Sequence, residues 1–298
     1  MSPPHTEGSY LVGLVGTGIG PSLSPALHER EADELGLRYL YRRLDLDVLG
    51  LKATAIGDLV AAAKLAGFDG LNVTHPCKQL VLAHLDELAP EAEALGAVNT
   101  VVFEGDRAIG HNTDSSGFAR SVGLGLPDAA LDDVVLLGAG GAGAAVAHAL
   151  LTLGAGTIRI FDADPSRSGA LADALRGRFG AERAEAGRLD RGDGLAAALA
   201  RADGLAHATP TGMAAHPGLP LPAELLRPGL WVADIVYRPL DTPLVTTARE
   251  RGCRVLDGGK MAVFQAADAF RLFTGHEPDA GRMLRHFDAL TGETHVRT

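Results

Sequence analysis

Short β-rich apolar runs alternate with helical stretches along the first third of the chain. The apolar runs are "YLVGLVG", "YLYRRLDL" and "FDGLNVT", and the helical stretches are "SPALHEREADELG", a segment from about Val48 to Ala66, and "CKQLVLAHLDELA". Strands that alternate with helices favour a mostly parallel sheet covered by helices. The strand pair "AVNTVVFEG" and "RAIGHNTD" follows, and then the helix "SSGFARSVGLGL".

A second alternating set begins at "VVLLG", after the turn-forming segment "GLPDAALDD". It continues through "TIRIFDAD", "GLAHATP", "WVADIVY" and "CRVLDG" to a last strong helix, "MAVFQAADAFRLFTG", while "TGETHVRT" reads as a loose tail. A chain of 298 residues is long enough for two domains. We therefore predict an α/β protein, with an N-terminal α/β domain over residues 1–119 and a second one over residues 120–259.

Charge and composition exclude several classes of protein. The chain has 27 basic and 37 acidic residues, a net charge of −10, so we expect no general affinity for nucleic acid or an anionic membrane. Cys77 and Cys253 form no CxxC pair, and the scattered histidines predict no metal site. The N-terminus lacks a signal peptide, which predicts a cytoplasmic protein. The uncharged run from Val134 to Ile158 is better explained by a strand, a glycine turn and a buried helix than by a membrane span.

A glycine-rich loop stands between the strand "VVLLG" and the helix "AAVAHALLTLG". Gly138, Gly140 and Gly143 have the GxGxxG spacing of a dinucleotide-binding βαβ unit. The first glycine permits a tight turn, the second lets the backbone approach a pyrophosphate, and the third lets the helix pack close to the strand. A purely structural βα turn is the alternative for this loop taken by itself.

An acidic residue ends the next predicted strand, where a Rossmann fold places the carboxylate that accepts hydrogen bonds from the adenosine ribose. Asp162 stands 19 residues after Gly143, and a carboxylate there repels a 2′-phosphate, which favours NAD over NADP. The alternative is that Asp162 caps the next helix. Arg167 leaves NADP open, because it is long enough to reach a 2′-phosphate, to pair with Asp162 or to lie against adenine.

Polar residues follow several predicted strands of the first domain. They are Ser22, Ser24, Asn72, Thr74, Lys78, Asn99, Asn112 and Asp114. Ligands of open α/β sheets bind beyond the carboxyl ends of the strands, so these residues predict a binding site. Taken singly they have simpler explanations, since Ser24 and Asp114 suit helix N-caps, Asn99 and Asn112 suit turns, and Lys78 suits a helix start.

The motifs as a set resemble those of the shikimate and quinate dehydrogenases, and the resemblance covers almost the full chain. The residues that carry it are "SLSPALH", "NVTHPCK", "GAVNT", "GHNTD", "GAGGAG", "HATPTGM", "DIVYRP" and "DGGKMAVFQA". The resemblance implies an N-terminal substrate domain, a Rossmann domain, and a C-terminal segment, residues 260–298, that packs back on the first domain. It also implies NAD(P)-dependent oxidation of a ring hydroxyl of a cyclic hydroxy-carboxylate such as quinate or shikimate.

Residue by residue, the resemblance implies a catalytic pair, a substrate site and a cofactor site. Lys78 and Asp114 would form the catalytic pair. Lys78 would take up the hydroxyl proton, and Asp114 would orient Lys78 and share that proton. The substrate would contact Ser22, Ser24, Thr74, Asn99, Tyr237 and Gln265. The cofactor would contact Gly138, Ala139, Gly140, Gly141, Ala142, Gly143, Asp162, Arg167, Thr209, Met213 and Gly258.

The sequence departs from the family pattern at three places, and the last of them bears on the branch. Glu29 stands where many members have asparagine, His207 replaces the asparagine of NATP, and "DADPSR" replaces the usual run that reads NADP. The last departure favours the NAD-dependent quinate/shikimate branch. The alternatives are an NADP-dependent biosynthetic shikimate dehydrogenase and an enzyme for an amino-substituted analogue. A homodimer stays open, and Lys78 with Asp114 speaks against a silent nucleotide-binding module or a methyltransferase.

Overall fold

The computed structural model describes residues 8–189 and 194–292, which form two compact units. Unit 1 takes the chain up to Thr113 and again from Val263, and unit 2 comprises Asp114–Ala262. The domain boundaries expected from the sequence, at residues 119 and 260, stay a prediction for the functional domains.

Unit 1 is built on a six-stranded mixed sheet with the strand order β2-β1-β3-β5-β6-β4. Its elements up to Thr113 are β1 (Ser9–Gly16), α1 (Ser24–Glu34), β2 (Arg38–Asp45), α2 (Leu46–Leu49), α3 (Ile56–Leu65), β3 (Gly70–Val73), β4 (Glu87–Leu88), α4 (Pro90–Leu95), β5 (Thr100–Glu104) and β6 (Arg107–His111). Strands β1, β2 and β3 are parallel, whereas β5 is antiparallel to both β3 and β6.

Unit 2 contains a second six-stranded sheet, with all its pairs parallel and the order β12-β11-β10-β7-β8-β9. Its elements are α5 (Asp114–Gly125), β7 (Asp133–Leu137), α6 (Gly141–Thr152), β8 (Thr157–Phe161), α7 (Pro165–Phe179), β9 (Ala184–Ala186), α8 (Gly194–Arg201), β10 (Gly204–His207), β11 (Trp231–Asp234), α9 (Pro243–Glu250) and β12 (Arg254–Leu256). This is the strand order of a doubly wound dinucleotide-binding sheet. Two helices close the described chain, α10 (Gly259–Thr274) and α11 (Ala280–Thr291).

Both sheets are covered on two faces, which explains the continuous apolar runs of central strands such as β1 and β7. In unit 1, Val12 and Leu14 pack with residues of α1 and α10, whereas Val15 packs with residues of α3. In unit 2, successive residues of β7 alternate between two cores, one with α6 and α7 and the other with α8 and α9. The predicted α/β class, with a Rossmann-type sheet, is confirmed.

Two predicted helices of unit 1 are wrong in detail. The segment from Val48 to Ala66 breaks into α2, a 3-10 turn at Ala53–Ala55 and α3, because Gly50 ends α2 in the left-handed conformation at φ 65°. The segment "CKQLVLAHLDELA" forms only a 3-10 turn at Leu80–His84, and Lys78 lies in the turn before it. Hydrogen bonds from Asp86 N–H to Ala108 O and from Ala89 N–H to Gly110 O draw its end into the sheet as β4.

Helix α11 was not predicted, although it has a capping side chain. Asp279 accepts a hydrogen bond from Arg282 N–H at 2.9 Å, and Met283 and Phe287 are buried. The expected tail "TGETHVRT" lies outside the described residues after Gly292. Within the described ranges, no helix combines the length and the apolar character that a membrane crossing requires.

Candidate active site

One edge of the unit 1 sheet carries the polar residues singled out in the sequence. The ends of β1, β3 and β6 meet there, and antiparallel β5 begins there. The prediction that every cluster follows a carboxyl end is therefore wrong for Asn99, which precedes β5. Asn99 reaches the same edge because its strand runs in the opposite direction.

A buried hydrogen-bond network centred on two amide side chains links strands β2, β3 and β5. Asn72 in β3 accepts a hydrogen bond from Tyr41 Oη at 2.6 Å and donates to Thr100 Oγ1 at 3.1 Å. Asn99 Oδ1 accepts from Thr113 N–H and from Thr100 Oγ1, both at 2.9 Å. Asn99 thus fixes the residue that immediately precedes Asp114, which is a more specific role than a turn former.

The two serines after β1 lie together. Ser22 Oγ and Ser24 Oγ are 3.3 Å apart, and both side chains are partly exposed. Helix α1 begins at Ser24, its N-cap position is Leu23, and no side chain caps it. The N-cap explanation for Ser24 is therefore wrong. Asp45 anchors the preceding loop by accepting hydrogen bonds from Gly18 and Ile19 N–H.

The turn that carries Lys78 is fixed by backbone hydrogen bonds. Thr74 N–H donates to Val15 O at 2.9 Å, and Lys78 O accepts from Val98 N–H at 2.9 Å. A Cβ on Gly16 would lie 2.3 Å from Thr74 Cγ2, so a glycine at that position allows the turn to pack on β1. Lys78 is partly buried.

Helix α10 contributes to the same unit through Gln265. The carbonyl oxygen of Gln265 accepts a hydrogen bond from Thr113 Oγ1 at 3.0 Å, and the residue is partly exposed. Asp114, the next residue after Thr113, begins α5 of unit 2 and is 6% exposed. The explanation of Lys78 as a residue of a helix start is wrong, since that segment forms a turn.

The glycine loop of unit 2 has the geometry that its spacing predicts. Gly138 has φ 101°, and a Cβ there would lie 2.6 Å from Ala208 O. A Cβ on Gly143 would lie 2.0 Å from Gly138 O, so this glycine lets α6 approach the end of β7. Gly140 differs, because a Cβ there would meet no atom within 4 Å.

Asp162 lies directly after β8 and reaches across to the glycine loop. Its Oδ2 accepts a hydrogen bond from Ala139 N–H at 2.7 Å, and its Oδ1 accepts one from Asp164 N–H at 2.9 Å. Asp164, not Asp162, caps α7, by accepting from Ser166 N–H at 2.9 Å. The helix-cap explanation for Asp162 is therefore wrong.

The remaining predicted site residues of unit 2 are four cofactor residues and one substrate residue, Tyr237. Arg167 is 65% exposed and its Nε lies 3.7 Å from Asp164 Oδ2, so its ion pair is with Asp164 and not with Asp162.

Thr209 follows β10 and lies against the glycine loop, since its Cγ2 is 3.0 Å from the Cβ position of Gly138. Met213 is exposed in the turn after Thr209. Gly258 packs closely against backbone, since a Cβ there would lie 2.5 Å from Val236 O. Tyr237 follows β11 and is partly exposed.

These features of unit 2 fit a dinucleotide. No side chain caps the first turn of α6. The amide groups at the start of this helix can therefore bind a pyrophosphate, as they do in such folds. Open space at Gly140 permits close approach of that pyrophosphate. A carboxylate has about four lone-pair sites, so Asp162 retains acceptor capacity for ribose hydroxyls beyond its two backbone bonds.

The structure also shows groups that the sequence analysis did not select. Thr113, Asp45 and Tyr41 hold site residues or site loops in place. Thr113 stands inside the quoted motif "GHNTD" and was within reach of sequence reasoning, whereas Asp45 carries no local signal. Within residues 8–189 and 194–292, no group of three or more His, Cys, Asp or Glu side chains is arranged to hold a metal ion.

Comparison with known proteins identifies the family. The model of the shikimate dehydrogenase substrate binding domain matches residues 14–101, and that of the shikimate 5′-dehydrogenase C-terminal domain matches residues 260–286. A shikimate dehydrogenase (NADP⁺) of Streptomyces avermitilis is 67% identical over 98% of this chain and 99% of its own. The chain belongs to the shikimate dehydrogenase family. It is a shikimate/quinate dehydrogenase, an NAD(P)-dependent oxidoreductase, as the motifs predicted.

Relatives within the family differ in cofactor. A quinate/shikimate dehydrogenase (NAD⁺) of Corynebacterium efficiens is 48% identical over 95% of this chain and 99% of its own. The structure of a quinate dehydrogenase from Corynebacterium glutamicum in complex with NAD superimposes with a TM-score of 0.86 and 47% identity, covering 94% of this chain and 99% of that one. Both cofactors thus occur among relatives of this enzyme.

Proposed function

We propose that this enzyme is an NAD-dependent quinate/shikimate dehydrogenase, which reversibly oxidises one ring hydroxyl of its substrate to the 3-dehydro ketone. The observation that carries the cofactor choice is the position of Asp162. One carboxylate oxygen is held by the Ala139 amide of the glycine loop, at the end of the strand where the adenosine ribose binds in this fold.

A second carboxylate strengthens the preference for NAD. Asp164 follows two residues later, and hydrogen bonds from the Ser166 hydroxyl and amide lower its pKa, so it is charged near neutral pH. The 2′-phosphate of NADP would lie close to this negative charge. Arg167, the cation beside it, is already within 3.7 Å of Asp164.

The proposed chemistry assigns the proton to Lys78. When bound, the nicotinamide accepts a hydride from the carbinol carbon. Lys78 Nζ takes up the hydroxyl proton of the same alcohol, so that the carbonyl forms without a free alkoxide. Asp114 orients Lys78 and shares its proton, and its buried position at the start of α5 suits a group held in one orientation.

The remaining site residues are proposed as substrate and cofactor contacts. The hydroxyls of Ser22 and Ser24, with Thr74, Asn99, Gln265 and Tyr237, bind the substrate's carboxylate and hydroxyls. The glycine loop, Thr209, Met213 and Gly258 contact the cofactor. A cytoplasmic location and the option of a homodimer stay predictions from the sequence.

The deciding experiment is an initial-rate assay with quinate or shikimate, each with NAD⁺ or NADP⁺. We expect turnover of both acids, with a higher kcat/KM for NAD⁺. Asp162→Asn removes the charge but keeps the shape, so we expect the ratio of kcat/KM for NAD⁺ over NADP⁺ to fall at least tenfold. Asp173→Asn is the matched control, because Asp173 is an exposed aspartate of α7 paired with Arg176.

A second candidate is an NADP-dependent shikimate dehydrogenase, which the relative of Streptomyces avermitilis favours at 67% identity. Its signature would be turnover of shikimate with NADP⁺ and little with NAD⁺. That outcome would show that Asp162 does not select NAD over NADP. Arg167 would then be the residue to test as the contact of the 2′-phosphate. Turnover of an amino-substituted shikimate alone would instead reject the substrate assignment.

Lys78→Met tests the proposed chemistry. We expect kcat to fall by roughly 10²–10⁴, the usual effect of losing a positioned acid–base group, with little change in KM for the cofactor. Lys52→Met is the matched control, since Lys52 is an exposed lysine of the same unit. Near wild-type turnover in a folded Lys78→Met protein would reject the role.

A further inference from the structure

A buried polar chain lies beneath the end of strand β10. His207 has no exposed surface, and its Nδ1 is 2.9 Å from Asp234 Oδ1. Its Nε2 is 2.5 Å from Thr209 Oγ1. A series of hydrogen bonds therefore runs from Asp234 through the imidazole to Thr209, the threonine that lies against the glycine loop.

The hydrogen bonds of Asp234 determine the tautomer of His207. Asp234 is 1% exposed, and its carboxylate also accepts from Val236 N–H at 3.0 Å and from Thr242 Oγ1 at 2.7 Å. Its partners are thus donors, which is the environment of an ionised carboxylate. His207 therefore donates from Nδ1, and in the neutral imidazole its Nε2 is then an acceptor.

The tautomer in turn orients the Thr209 hydroxyl. A hydroxyl has one hydrogen to donate and two lone pairs to accept. With His207 as a neutral imidazole, the hydrogen of Thr209 goes to His207 Nε2, and one lone pair accepts from Thr211 N–H at 3.3 Å. One lone pair of the hydroxyl oxygen remains.

We propose that His207 and Asp234 are positioning residues that fix Thr209 as a hydrogen-bond acceptor for a donor group on the nicotinamide half of the cofactor. This inference rests on the proposed cofactor role of Thr209. Strand β10 borders β7 on the side opposite β8. A dinucleotide whose adenosine ribose lies at Asp162 therefore extends its other half toward Thr209.

The donor group is either a ribose hydroxyl or the carboxamide N–H of nicotinamide. A phosphate is excluded, because it offers only acceptors to a hydroxyl whose hydrogen is already engaged. Burying a histidine and an aspartate costs free energy, and an apolar pair of similar volume is often as stable. Orientation of the Thr209 hydroxyl therefore explains this buried pair better than packing does.

Two variants test the proposal with the nucleotide that the enzyme turns over. Thr209→Val removes the acceptor. His207→Asn places an amide N–H near the position of Nδ1, which keeps a donor for Asp234 but does not reach Thr209. We expect each to raise the cofactor KM about fivefold, the effect of roughly one hydrogen bond, with no change in KM for shikimate. The double variant should be no worse than Thr209→Val.

Controls separate the possible outcomes. Inhibition by ADP, which lacks the nicotinamide half, should be the same in all variants. If Thr209→Val raises the cofactor KM and His207→Asn does not, or if the effects multiply in the double variant, the positioning role is wrong and that of Thr209 stands. If neither variant changes the cofactor KM, the proposed role of Thr209 fails as well.

Two further measurements complete the test. With the 3-acetylpyridine analogue, which has no carboxamide N–H, the effect of Thr209→Val should persist for a ribose hydroxyl and vanish for a carboxamide. Nitrogen-15 NMR of the wild-type holoenzyme does not depend on a variant that folds. It should show His207 with Nε2 unprotonated, and protonation of Nε2 would overturn the proposal.

Discussion

His28 lies in an aromatic enclosure and has no exposed surface. Its ring contacts those of Tyr41 and Phe270, at centroid distances of 5.0 and 5.8 Å, and its Nδ1 is 3.0 Å from Tyr39 Oη. Among the described residues, its Nε2 has no hydrogen-bond partner. Burial lowers the pKa of His28 from 6.5 to about 3, because the enclosure disfavours the charged imidazolium.

This lowered pKa predicts acid sensitivity. Below pH 6.5 the unfolded chain binds a proton at His28 that the folded chain does not, so the free energy of unfolding falls as pH drops toward 3. The slope is about 1.4 kcal/mol per pH unit, and we expect His28 to cost about 2 kcal/mol between pH 6.5 and 4.5. Urea unfolding at several pH values measures this.

The variant comparison isolates His28 from other titrating groups. His28→Gln should show a shallower fall of unfolding free energy over the same pH range. His276→Gln is the control, because His276 is an exposed histidine of the same unit. Equal slopes for the wild type and His28→Gln would contradict the prediction.

At the scale of elements, Gly143 sets the distance between α6 and β7. A Cβ in Gly143→Ala would lie 2.0 Å from Gly138 O, so α6 must move away from the glycine loop. We expect a loss of about 1–3 kcal/mol in unfolding free energy and an increased KM for the cofactor. Gly177→Ala in α7 meets no atom within 4 Å and should instead stabilise by about 0.5–1 kcal/mol. Wild-type cofactor KM and stability in Gly143→Ala would refute the packing argument.

An ion pair with a buried carboxylate joins α1 to α11. Glu31 is 1% exposed, and it accepts from Arg282 Nε at 2.9 Å and from Asp279 N–H at 2.7 Å. Arg282→Met leaves that carboxylate buried without its cation, and we expect a loss of about 3 kcal/mol in urea unfolding. Adding Glu31→Gln should recover most of the loss. A double variant as unstable as Arg282→Met would show that the uncompensated charge is not the cause.

For the whole molecule, ligand linkage gives a test that does not need turnover. A ligand at about 100 times its Kd stabilises the folded state by about 2.7 kcal/mol. We expect NAD to raise the melting temperature more than NADP at equal concentration, because in the proposed binding mode the 2′-phosphate of NADP would lie near the Asp162 and Asp164 carboxylates. Thermal melts of the wild type and Asp162→Asn check this, and the difference should narrow in the variant. An equal or larger rise with NADP would count against the NAD assignment.

The family, the α/β class and the Rossmann loop could all be predicted from the sequence alone. These follow from short-range patterns, because the glycine spacing from Gly138 to Gly143 and the acidic end of the next strand belong to one βαβ unit. The ordered motifs gave the enzyme class, which the comparisons confirmed.

The hydrogen-bond and ion-pair partners of individual residues could not be predicted from the sequence and became visible in the fold. Asp162 accepts a hydrogen bond from the Ala139 amide and does not cap a helix. Residues after His84 form an edge strand because they hydrogen-bond to β6. Glu31 and Arg282 meet across 251 positions, and His207 and Asp234 meet across two neighbouring strands. Such pairings depend on contacts between distant segments, and local residue patterns carry no information about them.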